Sequence, residues 1–128
     1  MFRSFLRAKI HGARVTGAVL HYEGSVAIGR RFLEALDLQP GERVDVYNVA
    51  NGARFSTYVI DEGAGETGIV LNGAAARLVQ AGDSVIIAAY ALVDLSVEPP
   101  PKPVIALVQG DDNRFKLKDF PEPVRSKL

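Results

Sequence analysis

Leu38-Gln39-Pro40-Gly41-Glu42-Arg43-Val44 recurs as Val79-Gln80-Ala81-Gly82-Asp83-Ser84-Val85. Each copy reads as a helix end, a glycine turn, an acidic residue and the start of a strand. Glycine suits the turn because a chain leaving a helix often passes through the left-handed region, where a Cβ is penalised. Helix-to-strand turns commonly look like this, so one copy carries little weight. Two copies in one chain imply a repeated helix–turn–strand unit, and hence a β-barrel with pseudo-two-fold symmetry.

The flanking sequence fills in the rest of that unit. Arg31 to Leu38 carries Phe32, Leu33 and Leu36 on one helical face. Arg43 to Val49 and Arg54 to Ile60 read as a hairpin folded at Asn51-Gly52, a dipeptide that accepts the positive φ values of tight turns. Gly68 to Leu71 reads as a strand, Ala74 to Leu78 as a short helix, and Ser84 to Leu92 as a long β run. Phe2 to His11 and Arg14 to Leu20 alternate apolar residues in strand fashion, and Ser25 to Ile28 adds a short strand. Asp61 to Thr67 is a glycine-rich surface loop. After Leu95, Glu98 to Pro103 favours an extended, polyproline-like path. The expected organisation is therefore a barrel over residues 1–95 and an extension over 96–128. That extension offers one possible strand, Val104 to Val108, and from about Gly110 a polar tail that is either mobile or an appendage.

Bulk properties exclude several function classes. The 128 residues suit one domain with a core, and 48% apolar with 23% charged residues is an ordinary globular profile. Fifteen Lys plus Arg balance 15 Asp plus Glu, whereas a nucleic-acid binder usually carries a basic excess. No apolar run approaches the roughly 20 residues of a membrane span. Met1 to Arg7 is expected to be a strand and not a secretory signal. Cysteine is absent, which removes disulfide and thiolate chemistry and fits a cytoplasmic location. Only His11 and His21 are histidines, too few and wrongly spaced for a metal site. Neither a phosphate-binding glycine pattern nor a serine-hydrolase elbow occurs.

Three segments carry the candidate chemistry: Tyr22-Glu23-Gly24-Ser25, Asn51-Gly52-Ala53-Arg54-Phe55-Ser56-Thr57-Tyr58 and Asn72-Gly73-Ala74-Ala75-Ala76. Taken singly, each has a plain structural reading. Gly24-Ser25 is a turn, Thr57 and Tyr58 are strand residues, and Asn72 is a helix cap. The alanines make a helix, and Lys9 and Arg54 are solvated charges. Taken together, in this order and spacing, they resemble the signature of the pyruvoyl-dependent aspartate decarboxylase family. The resemblance covers residues 1 to 92, with a weaker echo from Pro103 to Asn113. It departs at Gly12, where the family often carries arginine, so the loop beside Lys9 is in doubt.

The resemblance implies a six-stranded double-psi β-barrel. It also implies a chain that cuts itself between Gly24 and Ser25 through an ester, so that Ser25 becomes a covalent pyruvoyl group and no metal is needed. Glycine at position 24 would permit the distorted backbone this attack requires. Thr57 and Asn72 would donate hydrogen bonds to the oxyanion formed there. The carbonyl so made would condense with the amine of L-aspartate, and loss of carbon dioxide would give β-alanine for pantothenate and coenzyme A supply. Arg54 and Lys9 would hold the two carboxylates, and Thr57 with Gly73, Ala74 and Ala75 would line the substrate pocket. Tyr58 would return a proton to the α-carbon, with Tyr22 in a supporting role.

Adjacent strand residues point to opposite faces, so Thr57 and Tyr58 cannot readily aim at one point. Either the strand bends at the barrel end, or the site is shared between subunits. The family's homotetramer, with sites at subunit interfaces, favours the second. A maturation factor is a further possible partner, and neither nucleic acid nor membrane is expected. Two alternatives stay open. One is an unprocessed or inactive barrel acting as a binding or assembly module. The other is a pyruvoyl decarboxylase for glutamate, one methylene longer and separated by only about 1–3 kcal/mol of pocket discrimination.

Overall fold

Both copies of the glycine–acid turn fold alike in the computed structural model, which describes residues 1–119. Gly41 and Gly82 have φ of 86° and 93°. Gly41 N–H donates to Val59 O and Gly82 N–H to Val15 O, both at 2.7 Å. The Glu42 carboxylate accepts from Gln39 N–H at 3.1 Å, and the Asp83 carboxylate from Gln80 N–H at 2.9 Å. The recurring acid thus closes its own turn, and the recurring glycine supplies a left-handed conformation that a side chain would resist.

The strands are β1 (Arg3–Arg14), β2 (Gly17–Val19), β3 (Ser25–Ile28), β4 (Arg43–Asn48), β5 (Arg54–Ile60), β6 (Ile69–Asn72), β7 (Ser84–Val93), β8 (Val104–Val108) and β9 (Phe115–Asp119). Among the described residues, one α-helix, α1 (Arg30–Leu36), and one 3-10 helix (Gly73–Leu78) connect them. The order across the sheet is β2-β6-β3-β5-β4-β7-β1-β8-β9. β3-α1-β4 and β6-(3-10 helix)-β7 are the two repeated units. They meet symmetrically, since β3 pairs antiparallel with β6 and β4 with β7. β5 lies parallel to β3 and antiparallel to β4, as β2 and β1 do to β6 and β7. β2 and β1 are consecutive in the chain, and Val15 and Thr16 between them donate N–H bonds to Asp83 O and Ile69 O. The β1–β2 corner is thus tied both to the start of β7 and to β6.

This mainly β architecture with short helices is that of the expected barrel. β2 follows β1 in the chain but pairs at the far side of the sheet, and β8 and β9 extend the sheet beyond β1. Inward residues of alternating strands fill the interior, among them Ile10, Val26, Ile28, Val46, Val59, Ile69, Leu71, Val85 and Ile87. Phe32, Leu33 and Leu36 of α1 plug one end. Arg7 secures that plug. Its guanidinium donates to the Glu42 carboxylate and to the carbonyls of Leu36 and Asp37, where α1 ends and its last carbonyls lack helical partners.

The C-terminal region differs from the expectation. β8 pairs parallel with β1, and β9 adds antiparallel to β8. Residues 110–119 are thus partly built into the sheet, where a mobile tail or an appendage was expected from Gly110. Two contacts explain this. Phe115 stacks on Phe32 with ring centroids 4.6 Å apart. Buried Asn113 accepts from Arg14 N–H and donates to the Arg14 and Thr67 carbonyls. The rest of the expected tail, residues 120–128, lies outside the described residues.

Candidate active site

Ser25 opens β3 and Asn72 closes β6, and the antiparallel register sets them directly opposite each other. Both are buried, at 1% and 4% exposure. Asn72 Nδ2 donates to Ser25 Oγ at 3.0 Å, and Ser25 Oγ donates to the Glu23 carbonyl at 3.2 Å. The hydroxyl is therefore turned back toward the segment that precedes it. Asn72 makes no side-chain cap to the helix it precedes. Its amide is used at the serine. The neighbouring Tyr22, Glu23 and Gly24 are exposed, so the Gly24–Ser25 bond lies at the boundary between solvent and core.

Gly24 does not hold the special backbone expected of it. It lies outside the left-handed region, and a Cβ there would meet nothing within 4 Å. The demanding glycine is Gly73, with φ of 68°. A Cβ on Gly73 would sit 2.7 Å from Gly24 Cα and 2.8 Å from both Gly24 N and Tyr22 O. Gly73 thus lets residues 22–24 lie against the end of β6.

The other repeat shows what is unusual here. The pseudo-two-fold relates Gly29 to Gly73 and residues 65–68 to 21–24. Gly29, Arg30 and Arg31 donate backbone N–H bonds to the carbonyls of Gly68, Gly65 and Glu66 at 2.9–3.0 Å. Among the described residues, Gly73, Ala74 and Ala75 make no equivalent bonds to residues 21–24. The first N–H groups of the 3-10 helix are thus not spent on residues 21–24 as those of the other repeat are on 65–68.

The remaining candidates divide by strand face. β4 and β5 pair without a break from Arg43↔Tyr58 to Tyr47↔Arg54, so β5 has no bend at Thr57–Tyr58. Arg54, Ser56 and Tyr58 point outward, and Thr57 shares the inward face with buried Val59. Val26 pairs with Val59, so Thr57 and Gly24 stand at matching positions two residues before that pair. Thr57 makes no hydrogen bond to Ser25 among the described residues. The outward face continues across the sheet in two rows. Arg54, Tyr47, Ile86, His11, Leu107 and Lys116 form one. Ser56, Asp45, Ala88, Lys9, Ile105 and Lys118 form the other.

Lys9, Arg54 and Tyr58 therefore share one outer face, while Ser25, Asn72 and Gly73 lie buried where β3 begins and β6 ends. Burial lowers the His11 pKa, and the charges of Lys9 and Lys118 lower it further. His11 Nδ1 is buried without a partner. Sequence reasoning missed Tyr47, Tyr90 and Asp45. The Tyr47 ring lies under the Arg54 guanidinium at 4.0 Å, and its hydroxyl meets that of Tyr90 at 2.8 Å. Counting outward from Asn51-Gly52 as a two-residue turn sets Val49 opposite Arg54; the actual loop is longer, from Val49 to Gly52, and its register puts Tyr47 there. Among the described residues, no group of three or more His, Asp or Glu is arranged to hold a metal.

The family model described as aspartate decarboxylase matches residues 1–116. The aspartate 1-decarboxylase of Syntrophobacter fumaroxidans is 50% identical over 112 residues, covering 88% of this chain and 90% of the relative. That of Pyrobaculum islandicum is 60% identical over 88 residues, or 69% and 72% of the two chains. An aspartate 1-decarboxylase from a Geobacillus species is 44% identical over 128 residues, the full length of both.

Proposed function

The chain belongs to the aspartate decarboxylase family, and from that premise we propose that it matures by cutting itself between Gly24 and Ser25. The mature protein is a carbon–carbon lyase that converts L-aspartate to β-alanine and carbon dioxide. One observation carries the maturation reading. A buried serine hydroxyl is turned back to the carbonyl two residues before it and receives the amide of the residue opposite it.

In the proposed cut, Ser25 Oγ adds to the Gly24 carbonyl carbon. The bond from that carbon to the Ser25 nitrogen breaks, and an ester replaces the amide. Asn72 Nδ2 is the nearby donor for the oxyanion, and the Thr57 hydroxyl is a second candidate. Removal of the Ser25 α-proton then expels the Gly24 carboxylate. Water hydrolyses the resulting dehydroalanine, releasing ammonia and leaving a pyruvoyl group on residue 25. Residues 1–24 form the small chain and 25–128 the large one.

The residues present fit such a carbonyl, because the groups around position 25 are donors and a carbonyl oxygen accepts. When present, the pyruvoyl group supplies the electron sink for the pair left as carbon dioxide departs. The chain's other residues do the rest. Arg54 grips one substrate carboxylate with two parallel bonds, and Lys9 holds the second as a point charge. Thr57 and the backbone of Gly73, Ala74 and Ala75 line the pocket. Tyr58 delivers the proton to the α-carbon.

Arg54, Lys9 and Tyr58 face outward from the sheet that carries Ser25 at its end, which supports a site completed between protomers. A homotetramer of processed chains is the assembly proposed. Cytoplasmic location belongs to the same reading. Among the described residues, no helix is long and apolar enough to cross a membrane.

Intact-protein mass spectrometry under denaturing conditions tests maturation. Two chains breaking after Gly24, the larger with a pyruvoyl terminus, are expected in wild type. The Ser25→Ala chain should stay whole and yield no β-alanine. Normal β-alanine production by that variant would sink the mechanism. Cutting that needs an added cellular protein would identify a maturation factor.

A further inference from the structure

Arg54 is exposed, and among the described residues its guanidinium has no hydrogen bond and no ion pair. A free arginine on a surface samples many rotamers, and a two-bond grip on a carboxylate needs one of them. Yet Arg54 is not unconstrained. Its guanidinium carbon lies 4.0 Å from the centroid of the Tyr47 ring. The two residues are direct cross-strand partners on β4 and β5, so their side chains leave the same face side by side.

We propose that Tyr47 is a positioning residue for substrate binding, its ring holding the Arg54 guanidinium flat so that the N–H edge stays open to a carboxylate. The proposal rests on the reading of Arg54 as a carboxylate grip. Stacking uses the face of the guanidinium and leaves its in-plane donors unspent, so the ring and a carboxylate do not compete for them.

The ring is itself held. Its hydroxyl meets the Tyr90 hydroxyl at 2.8 Å and points to Asp45 Oδ2 at 3.4 Å. Asp45 is tied in turn by Ser56, whose hydroxyl donates to Asp45 Oδ1 at 2.7 Å, and Arg43 donates to the Ser56 hydroxyl at 3.1 Å. The platform is thus bonded across β5, β4 and β7. Burial, then the bond to Tyr90, pushes the Tyr47 phenol up to about 12. It stays protonated through the neutral range, and the hydroxyl pair stays intact.

The stack exists before substrate arrives and does not touch the reacting carbon. Losing it weakens ground state and transition state alike, which raises KM and leaves kcat unchanged. The contact is at the surface, so the expected change is about 2- to 5-fold. The test is steady-state aspartate decarboxylation by self-cleaved wild type, Tyr47→Leu, Tyr47→Phe, Arg54→Ala and the Tyr47→Leu/Arg54→Ala double variant. Cleavage between residues 24 and 25 is followed by mass spectrometry as the folding control. Tyr47→Leu should raise KM with kcat held, Tyr47→Phe should keep a near-wild-type KM, and Tyr47→Leu should add nothing once Arg54 is gone.

A wild-type KM in Tyr47→Leu beside a raised KM in Arg54→Ala overturns the positioning role alone. An unchanged KM in Arg54→Ala overturns the reading of Arg54 and this proposal with it. A second readout needs no variant to fold. In wild type, the Arg54 Hε resonance should carry an upfield ring-current shift, and a resonance at the free-arginine position overturns the stack.

Discussion

Gly73→Ala should damage this protein more than Gly24→Ala, although Gly24 flanks the bond that is cut. At position 73 the new methyl meets two penalties. A side chain in the left-handed region costs about 1–2 kcal/mol. The Cβ would also lie 2.7 Å from Gly24 Cα, where ordinary contact begins at 3.4 Å, so residues 22–24 must retreat by roughly 0.7 Å. Forced overpacking of this kind costs about 1–3 kcal/mol. The sum is about 2–5 kcal/mol, or a fall in Tm of at least about 8 °C at about 4 °C per kcal/mol for a chain of this size. At position 24 there is open space and no left-handed backbone. There alanine should be neutral, or stabilise by up to about 1 kcal/mol by restricting the unfolded chain. Both substitutions belong in a Ser25→Ala background, so that every sample is uncut, and at one protein concentration, since assembly shifts Tm. Differential scanning calorimetry reads the pair. With Ser25 restored, Gly73→Ala should also slow cleavage, because the displaced segment carries the carbonyl under attack. A Gly73→Ala protein that melts with its parent, or a Gly24→Ala protein that loses as much, refutes the reasoning.

Asn72→Leu removes the donor to Ser25 Oγ. A hydrogen bond of ordinary worth predicts cleavage slowed about 2- to 10-fold, read by a mass-spectrometric time course. Arg7→Leu strips the pair with Glu42 and two bonds to the end of α1. Partly buried, charge-assisted bonds predict a loss of about 2 kcal/mol in urea unfolding, and no loss would show the pair to be ornamental. Phe115→Ala loses the stack on Phe32. About 2 kcal/mol is expected for a half-buried ring, with faster hydrogen exchange in β8 and β9; unchanged exchange would mean that the ring does not hold β9. The folded-state pKa of His11 lies below the ordinary 6.5. Folding therefore favours the neutral ring, and that contribution is full above pH 6.5 and drains away as pH falls below it. Lys118→Ala should raise the His11 titration toward 6.5 by NMR, and a further fall would contradict the assigned cause.

The barrel was legible because its repeat is written in residues that do one job twice. Gly41 and Gly82 each take a left-handed turn, and Glu42 and Asp83 each close it with a carboxylate. The hairpin was legible for the same local reason, Asn51-Gly52. The β9 strand was not, because two distant contacts hold it: Phe115 on Phe32, and Asn113 on Arg14 and Thr67. No local pattern in a polar stretch announces such partners. The site was legible as a set of residue types but not in its division of labour. Thr57 and Tyr58 point to opposite faces as strand alternation requires. The special glycine, however, proved to be Gly73, because the strain depends on what packs over it. Tyr47 was overlooked because a tyrosine on a strand is unremarkable until the register sets it against Arg54.

Pseudo-symmetry also explains why chemistry resides at one end of a single ladder. β3 and β6 cross with Ser25 opposite Asn72 at one end and Ile28 opposite Ile69 at the other. The two ends are related by the same two-fold that relates Gly73 to Gly29. At the Ile28–Ile69 end, three helix N–H groups are spent on the carbonyls of residues 65–68, and both side chains are apolar and fully buried. That end is a structural joint. At the Ser25–Asn72 end the glycine backbone differs, with φ of 68° at Gly73 against −57° at Gly29, and the N–H bonds to residues 21–24 are missing. A hydroxyl and an amide replace the two isoleucines. The fold thus carries two copies of one tight junction, in which a glycine receives a segment of the other half. One copy keeps its donors satisfied and is inert. The other lacks those bonds and sets a serine there, and in the proposed reading the Asn72 amide that it receives is the donor an oxyanion at Gly24 would use.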